Sequence, residues 1–108
     1  MIKFQDLKIT KVMYQEPNSE KYIQEFGNLK VHQIFPNGIE VSILLNSRFA
    51  SLSDKLYEVA FLKDGLPIDL PESIKKEFSN SIVFNYYLTF IPQRQINHLF
   101  RVAEKMKI

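Results

Sequence analysis

The chain has 108 residues, of which 45% are hydrophobic, with nine Phe and five Tyr but no Trp; this excludes global disorder and fits one domain, whose core needs no staple at a size that buries roughly two-thirds of the unfolded surface. The absence of cysteine excludes disulfides and thiolate chemistry and favours a cytoplasmic setting. A net charge of +2 is too small to indicate nucleic acid by itself.

At the N-terminus, Asp6 and Lys8 interrupt any apolar region, so a signal peptide is not expected, and no apolar run reaches membrane-spanning length. Residues 2–14 carry Ile2, Phe4, Leu7, Ile9, Val12 and Tyr14, alternating with one slip at Gln5-Asp6. They read as a strand with a bulge, best formed from Lys8 to Tyr14. Residues 15–28 are polar and rich in turn formers. Asn18 or Ser19 suits the cap of a short helix ending at Gly27, and a loop is the alternative.

Phe35-Pro36-Asn37-Gly38-Ile39 lies between two apolar runs and marks a β-hairpin over about 29–46. A two-residue loop would mix apolar and polar side chains on both faces. A three-residue loop, Pro36-Asn37-Gly38, opposes Phe35 to Ile39, Gln33 to Val41 and Val31 to Ile43. It sorts Leu29, Val31, Phe35, Ile39, Val41, Ile43 and Leu45 onto one face, broken only by Gln33. Lys30, His32, Ile34, Glu40, Ser42 and Leu44 fall on the other. Side chains alternate with period two, so the register that sorts them is expected. Pro36 and Asn37 suit the central positions of a type I turn, with Gly38 in the left-handed bulge position that follows.

The Ser-rich stretch Asn46–Asp54 is expected to be a mobile connection. A third strand runs from Leu56 to Lys63, with Tyr57, Val59 and Phe61 on one face, and Asp64-Gly65 ends it. Leu66–Leu70 reads as a link. Pro71-Glu72-Ser73 opens a short helix that buries Ile74 and Phe78 and stops at Asn80-Ser81. Aromatic and β-branched content favours a strand over Ile82–Ile91, with a short helix as the alternative. Pro92 then opens a terminal helix to about Lys105, in which Ile96, Leu99, Phe100, Ala103 and Met106 recur at helical spacing. The expected fold is α+β: an antiparallel sheet of about four strands with the C-terminal amphipathic helix packed on one face.

No constellation here carries a reaction. His32 opposite Ser42 suggests a nucleophile pair, but no carboxylate is spaced to orient the ring, and a strand lacks the sharp turn that exposes such a serine. His98 has no ligand partner at helical spacing and reads as a solvated helix residue. Asp64, Asp69 and Glu72 each have a structural reason to exist at a turn or helix start. The three glycines stand at turns, which leaves no phosphate loop. The reading is therefore a non-enzyme with no cofactor and no metal.

Two surfaces remain as candidates. Arg94, Arg101, Lys105 and Lys107, with His98, give the last helix a basic edge, and Arg48-Phe49 stands in the Ser-rich loop. Arg and aromatic residues suit either a nucleic-acid backbone or a protein hot spot. The weaker hairpin face keeps Ile34 and Leu44 beside His32, and Leu56–Lys63 is apolar on both sides. That surplus implies partial cover by residues 15–28 or 82–91, or an interface such as a symmetric homodimer. The candidate partner-binding residues are His32, Ile34, Leu44, Arg48, Phe49, Arg94 and Arg101.

Gly27 through Phe35, then Asn37-Gly38-Ile39-Glu40-Val41-Ser42-Ile43-Leu44, then Leu56-Tyr57-Glu58-Val59-Ala60-Phe61-Leu62-Lys63-Asp64-Gly65 resembles a family of small uncharacterised proteins of tailed bacteriophages. Tyr87-Leu88-Thr89 and the helix from Gln93 to Met106 follow in the family's order. The family's glycine-rich Asn-Gly-x-Gly is Asn37-Gly38-Ile39-Glu40 here, and residues 15–26 and 71–86 look like additions. The resemblance implies a phage or mobile-element accessory protein in the host cytoplasm. It would bind a host protein and inhibit a defence or regulatory factor. Weak nucleic-acid binding by the basic helix edge is the alternative, and no catalytic residue carries over.

Overall fold

The computed structural model describes residues 3–12 and 28–107. Its strands are β1 (Thr10–Val12), β2 (Asn28–Ile34), β3 (Ile39–Leu44), β4 (Leu56–Lys63), β5 (Leu66–Pro67), β6 (Ile82–Val83) and β7 (Tyr87–Pro92). They form one antiparallel sheet in the order β1-β2-β3-β4-β7-β6, with β5 also paired to β4. Two α-helices are described, α1 (Glu72–Glu77) and α2 (Ile96–Lys105). The fold is α+β, as expected, with more strands than the expected four.

The hairpin register is the one that sorts its faces. Val31 opposes Ile43, His32 opposes Ser42 and Gln33 opposes Val41. The Phe35 amide donates to the Ile39 carbonyl at 2.8 Å, and Gly38, at φ +86°, donates to the Phe35 carbonyl at 2.9 Å. Left-handed backbone at the third loop residue is the reason for glycine there.

The turn also has a tertiary role that local pattern does not reveal. Asn37 Nδ2 donates to the carbonyls of Ala103 at 2.8 Å and Met106 at 3.0 Å, and approaches that of Glu104 at 3.3 Å. The last carbonyls of a helix lack intrahelical partners. The hairpin tip therefore caps the C-terminus of α2, while Asn37 Oδ1 accepts from the Ile39 amide at 3.0 Å.

The core lies between α2 and one face of the sheet. Ile96, Leu99, Phe100 and Ala103 of α2 are buried against Val31, Val41, Ile43, Val59 and Phe61. The Phe35 and Phe100 rings meet edge-on at 5.9 Å between centroids. Ile74 of α1 is fully buried, and Phe78 packs against the same core.

Four segments differ from their sequence reading. Residues 4–6 form a single 3-10 turn instead of strand. The Phe4 amide donates to Asn97 Oδ1 at 2.8 Å and its ring packs on Tyr57, so this segment docks on α2 instead of extending the sheet. Asp64-Gly65 does more than end β4. Both have positive φ, and Leu66-Pro67 folds back as β5 with Lys63 opposite Leu66, the pattern of a type I′ hairpin. Residues 82–91 form two strands around a turn at 84–86 instead of one. Pro92 closes β7, and a 3-10 turn at Gln93–Gln95 precedes α2. The helix or loop expected within 15–27 lies outside the described residues.

The Ser-rich connection is held by several hydrogen bonds. Asn46 Oδ1 accepts from the Leu29 amide, Ser51 Oγ donates to Asp54 at 2.7 Å, and the Phe49 carbonyl accepts from the Phe90 amide at 2.9 Å.

Candidate functional site

Among the described residues no helix packs on the sheet face away from α2, termed the open face. Strand alternation sends Lys30, His32, Ile34, Glu40, Ser42, Leu44, Glu58, Ala60 and Leu62 there. One cross-strand row runs His32, Ser42, Ala60, Tyr87. Its two central residues are small, at 9% and 8% exposure, and form the floor of a depression. Lys30, Leu44, Glu58, Leu62, Pro67 and Tyr87 line the sides of a groove of about 210 Å³.

The groove exists because β4 changes partners along one edge. Tyr87 of β7 pairs with Ala60, and Pro67 of β5 pairs with Leu62. The side chains of the two arms stand on either side of the point where one hands over to the other.

Charges on this face are arranged in steps. Glu40 accepts from Lys30 Nζ at 3.3 Å, and its other oxygen lies 3.7 Å from His32 Nδ1. Glu58, opposite Leu44, has no ion pair among the described residues. Burial pushes its carboxyl above the usual carboxylate range, and a hydrogen bond from Ser47 partly offsets this.

The sequence candidates divide between two sides of the sheet. His32, Ile34 and Leu44 share the open face, where Ile34 is 55% exposed. Arg48 and Phe49 follow Ser47 in the loop that reaches Glu58, and the Arg48 guanidinium lies 5.9 Å from the Phe49 ring centre. Phe49 also bonds by its carbonyl to Phe90, beside the β-bulge in β7. Arg94 and Arg101 are exposed at the start and middle of the α2 region, on the far side of the core. They do not join the other five.

The histidines also differ from their sequence readings. His32 does have a carboxylate beside it, Glu40, which stands two residues from Ser42 on the same face. No hydrogen bond joins Ser42 to His32, so the elements of a nucleophile pair are adjacent but not connected. His98 Nε2 lies 2.8 Å from Glu77 Oε1, which ties α2 to α1. That partner is 21 residues away and invisible to helical spacing. Among the described residues no three His, Asp or Glu side chains gather to hold a metal ion. Glu72 instead pairs with Lys75 at 3.5 Å, and Asp64 occupies the β4–β5 turn.

The sequence reading missed Glu58, Pro67 and Tyr87 as parts of the groove. The available signal was Glu58 itself, a charge set among the apolar residues Leu56, Ala60 and Leu62 of one strand face. No helix among the described residues is long and apolar enough to cross a membrane. Comparison with family models, with curated proteins and with solved structures finds no match to this chain.

Proposed function

We propose that the chain is a non-enzymatic protein-binding domain that docks its partner on the open sheet face. One observation carries this reading. The face opposite α2 keeps exposed Ile34, half-exposed Leu44 and a shaped groove, where a solvated sheet face would alternate to polar residues. The phage-family resemblance supplies the setting: an accessory protein that acts on a host protein, inhibiting a defence or regulatory factor.

The test is affinity capture from the native cell, followed by mass spectrometry, with variants on the two sides of the sheet. Ile34→Lys with Leu44→Lys is expected to abolish capture. Arg94→Glu with Arg101→Glu is expected to leave it unchanged. The opposite pattern, together with nucleic acid in the captured material and steep salt dependence, would replace this reading by the nucleic-acid one. A doubled mass in sedimentation that reverts in the open-face variant would make the partner a second copy of the chain.

A further inference from the structure

The groove on this face has a floor of Ser42 and Ala60, apolar walls at Leu44, Leu62 and Pro67, and two charged side chains in its lining, Glu58 and Lys30. Lysine and arginine side chains have the matching form, an aliphatic stem with a charged head. We infer that the groove seats one basic side chain of the bound protein, its stem over Ala60 and Leu44 and its charge at the Glu58 carboxylate. This rests on the protein-binding reading and deepens it by naming the chemistry of the contact.

Charge complementarity supports the choice. Among the described residues strands β2 to β4 present Lys30, His32, Glu40 and Glu58 on this face as ionisable side chains, with the Tyr87 phenol at the groove edge. Lys30 also lines the groove, but its Nζ is engaged by Glu40 at 3.3 Å, and Glu40 faces His32 as well. Glu58 is thus the carboxylate on this face that makes no ion pair among the described residues, and the serine that bonds it brings no charge. A half-buried carboxylate lacking a counter-ion is held at a desolvation cost that an incoming cation offsets. Tyr87 adds an aromatic ring at the groove edge, which favours a cation further. An acidic partner side chain would meet Glu58 as a like charge, and a purely apolar one would bury it unpaired.

Titrating the isotopically labelled full chain with N-acetyl-arginine methylamide and N-acetyl-lysine methylamide tests this by NMR. N-acetyl-norleucine methylamide serves as the uncharged probe of similar stem. The basic probes are expected to shift the Ser42, Leu44, Glu58 and Ala60 amides, and norleucine to shift them far less. Glu58→Gln keeps the shape of the side chain, and its amide spectrum reports whether it folds. Binding of the basic probes to it is expected to weaken about tenfold, the usual worth of a charge-assisted hydrogen bond. An equal response to norleucine, unchanged binding in Glu58→Gln, or shifts located elsewhere would overturn the inference. If the basic probes fail while partner capture still depends on Ile34 and Leu44, the seat is wrong and the docking face stands. If capture is also independent of Ile34 and Leu44, the docking reading falls with it.

Discussion

Asn37 joins local and tertiary structure in a single side chain. Its oxygen shapes the hairpin turn, and its amide nitrogen satisfies carbonyls at the end of α2. Asn37→Ala leaves those partly buried carbonyls short of a donor, and a lost hydrogen bond of this kind costs about 1–3 kcal/mol. A urea unfolding curve is expected to show a lower midpoint with an unchanged slope. Glu58 acts in the other direction. Its folded carboxyl binds a proton more readily than the unfolded one, so stability falls as pH rises through the interval above the ordinary carboxylate value. Glu58→Gln is therefore expected to be more stable than the parent at neutral pH. The difference should close on acidification through that interval, as read by unfolding midpoints at a series of pH values.

At the scale of elements, the β6–β7 hairpin has an unusual turn. Phe84 and Asn85 have φ of +55° and +62°, and Phe84 is 78% exposed. Left-handed backbone costs a residue such as Phe about 1–2 kcal/mol, whereas Asn and Gly tolerate it. Replacing Phe84-Asn85 by Asn-Gly, the pair preferred where both central residues have positive φ, is expected to raise stability by about 1 kcal/mol. Thermal unfolding checks it, and a loss of stability would show that the Phe84 ring makes a compensating contact. This turn also explains why residues 82–91 were ambiguous in sequence. Their composition favours extended backbone, but no Gly or Pro marks the reversal. By contrast, Asp64-Gly65 carried a turn signal, and only the return strand was missed, because Leu66-Pro67 is too short to show a period.

For the whole molecule, the sheet separates two chemistries. One side is closed by α2, with exposed Arg101 on the helix and exposed Arg94 in the turn that precedes it. The other keeps Ile34, Leu44 and the Glu58 groove. The paired-variant captures test that separation directly, since only a surface on one side can depend on Ile34 and leave Arg94 and Arg101 without effect. Period-two alternation was enough to determine which hairpin residues enter the core, because a one-residue slip would turn every side chain over. Helical spacing likewise determined the buried stripe of α2. Local pattern could not determine what meets across long separations in the chain: Asn37 with the end of α2, Phe4 with Asn97, His98 with Glu77. It also could not show the groove, which needs β5 and β7 brought to the same edge of β4. Each of these depends on which elements become neighbours, and the tertiary structure alone decides that.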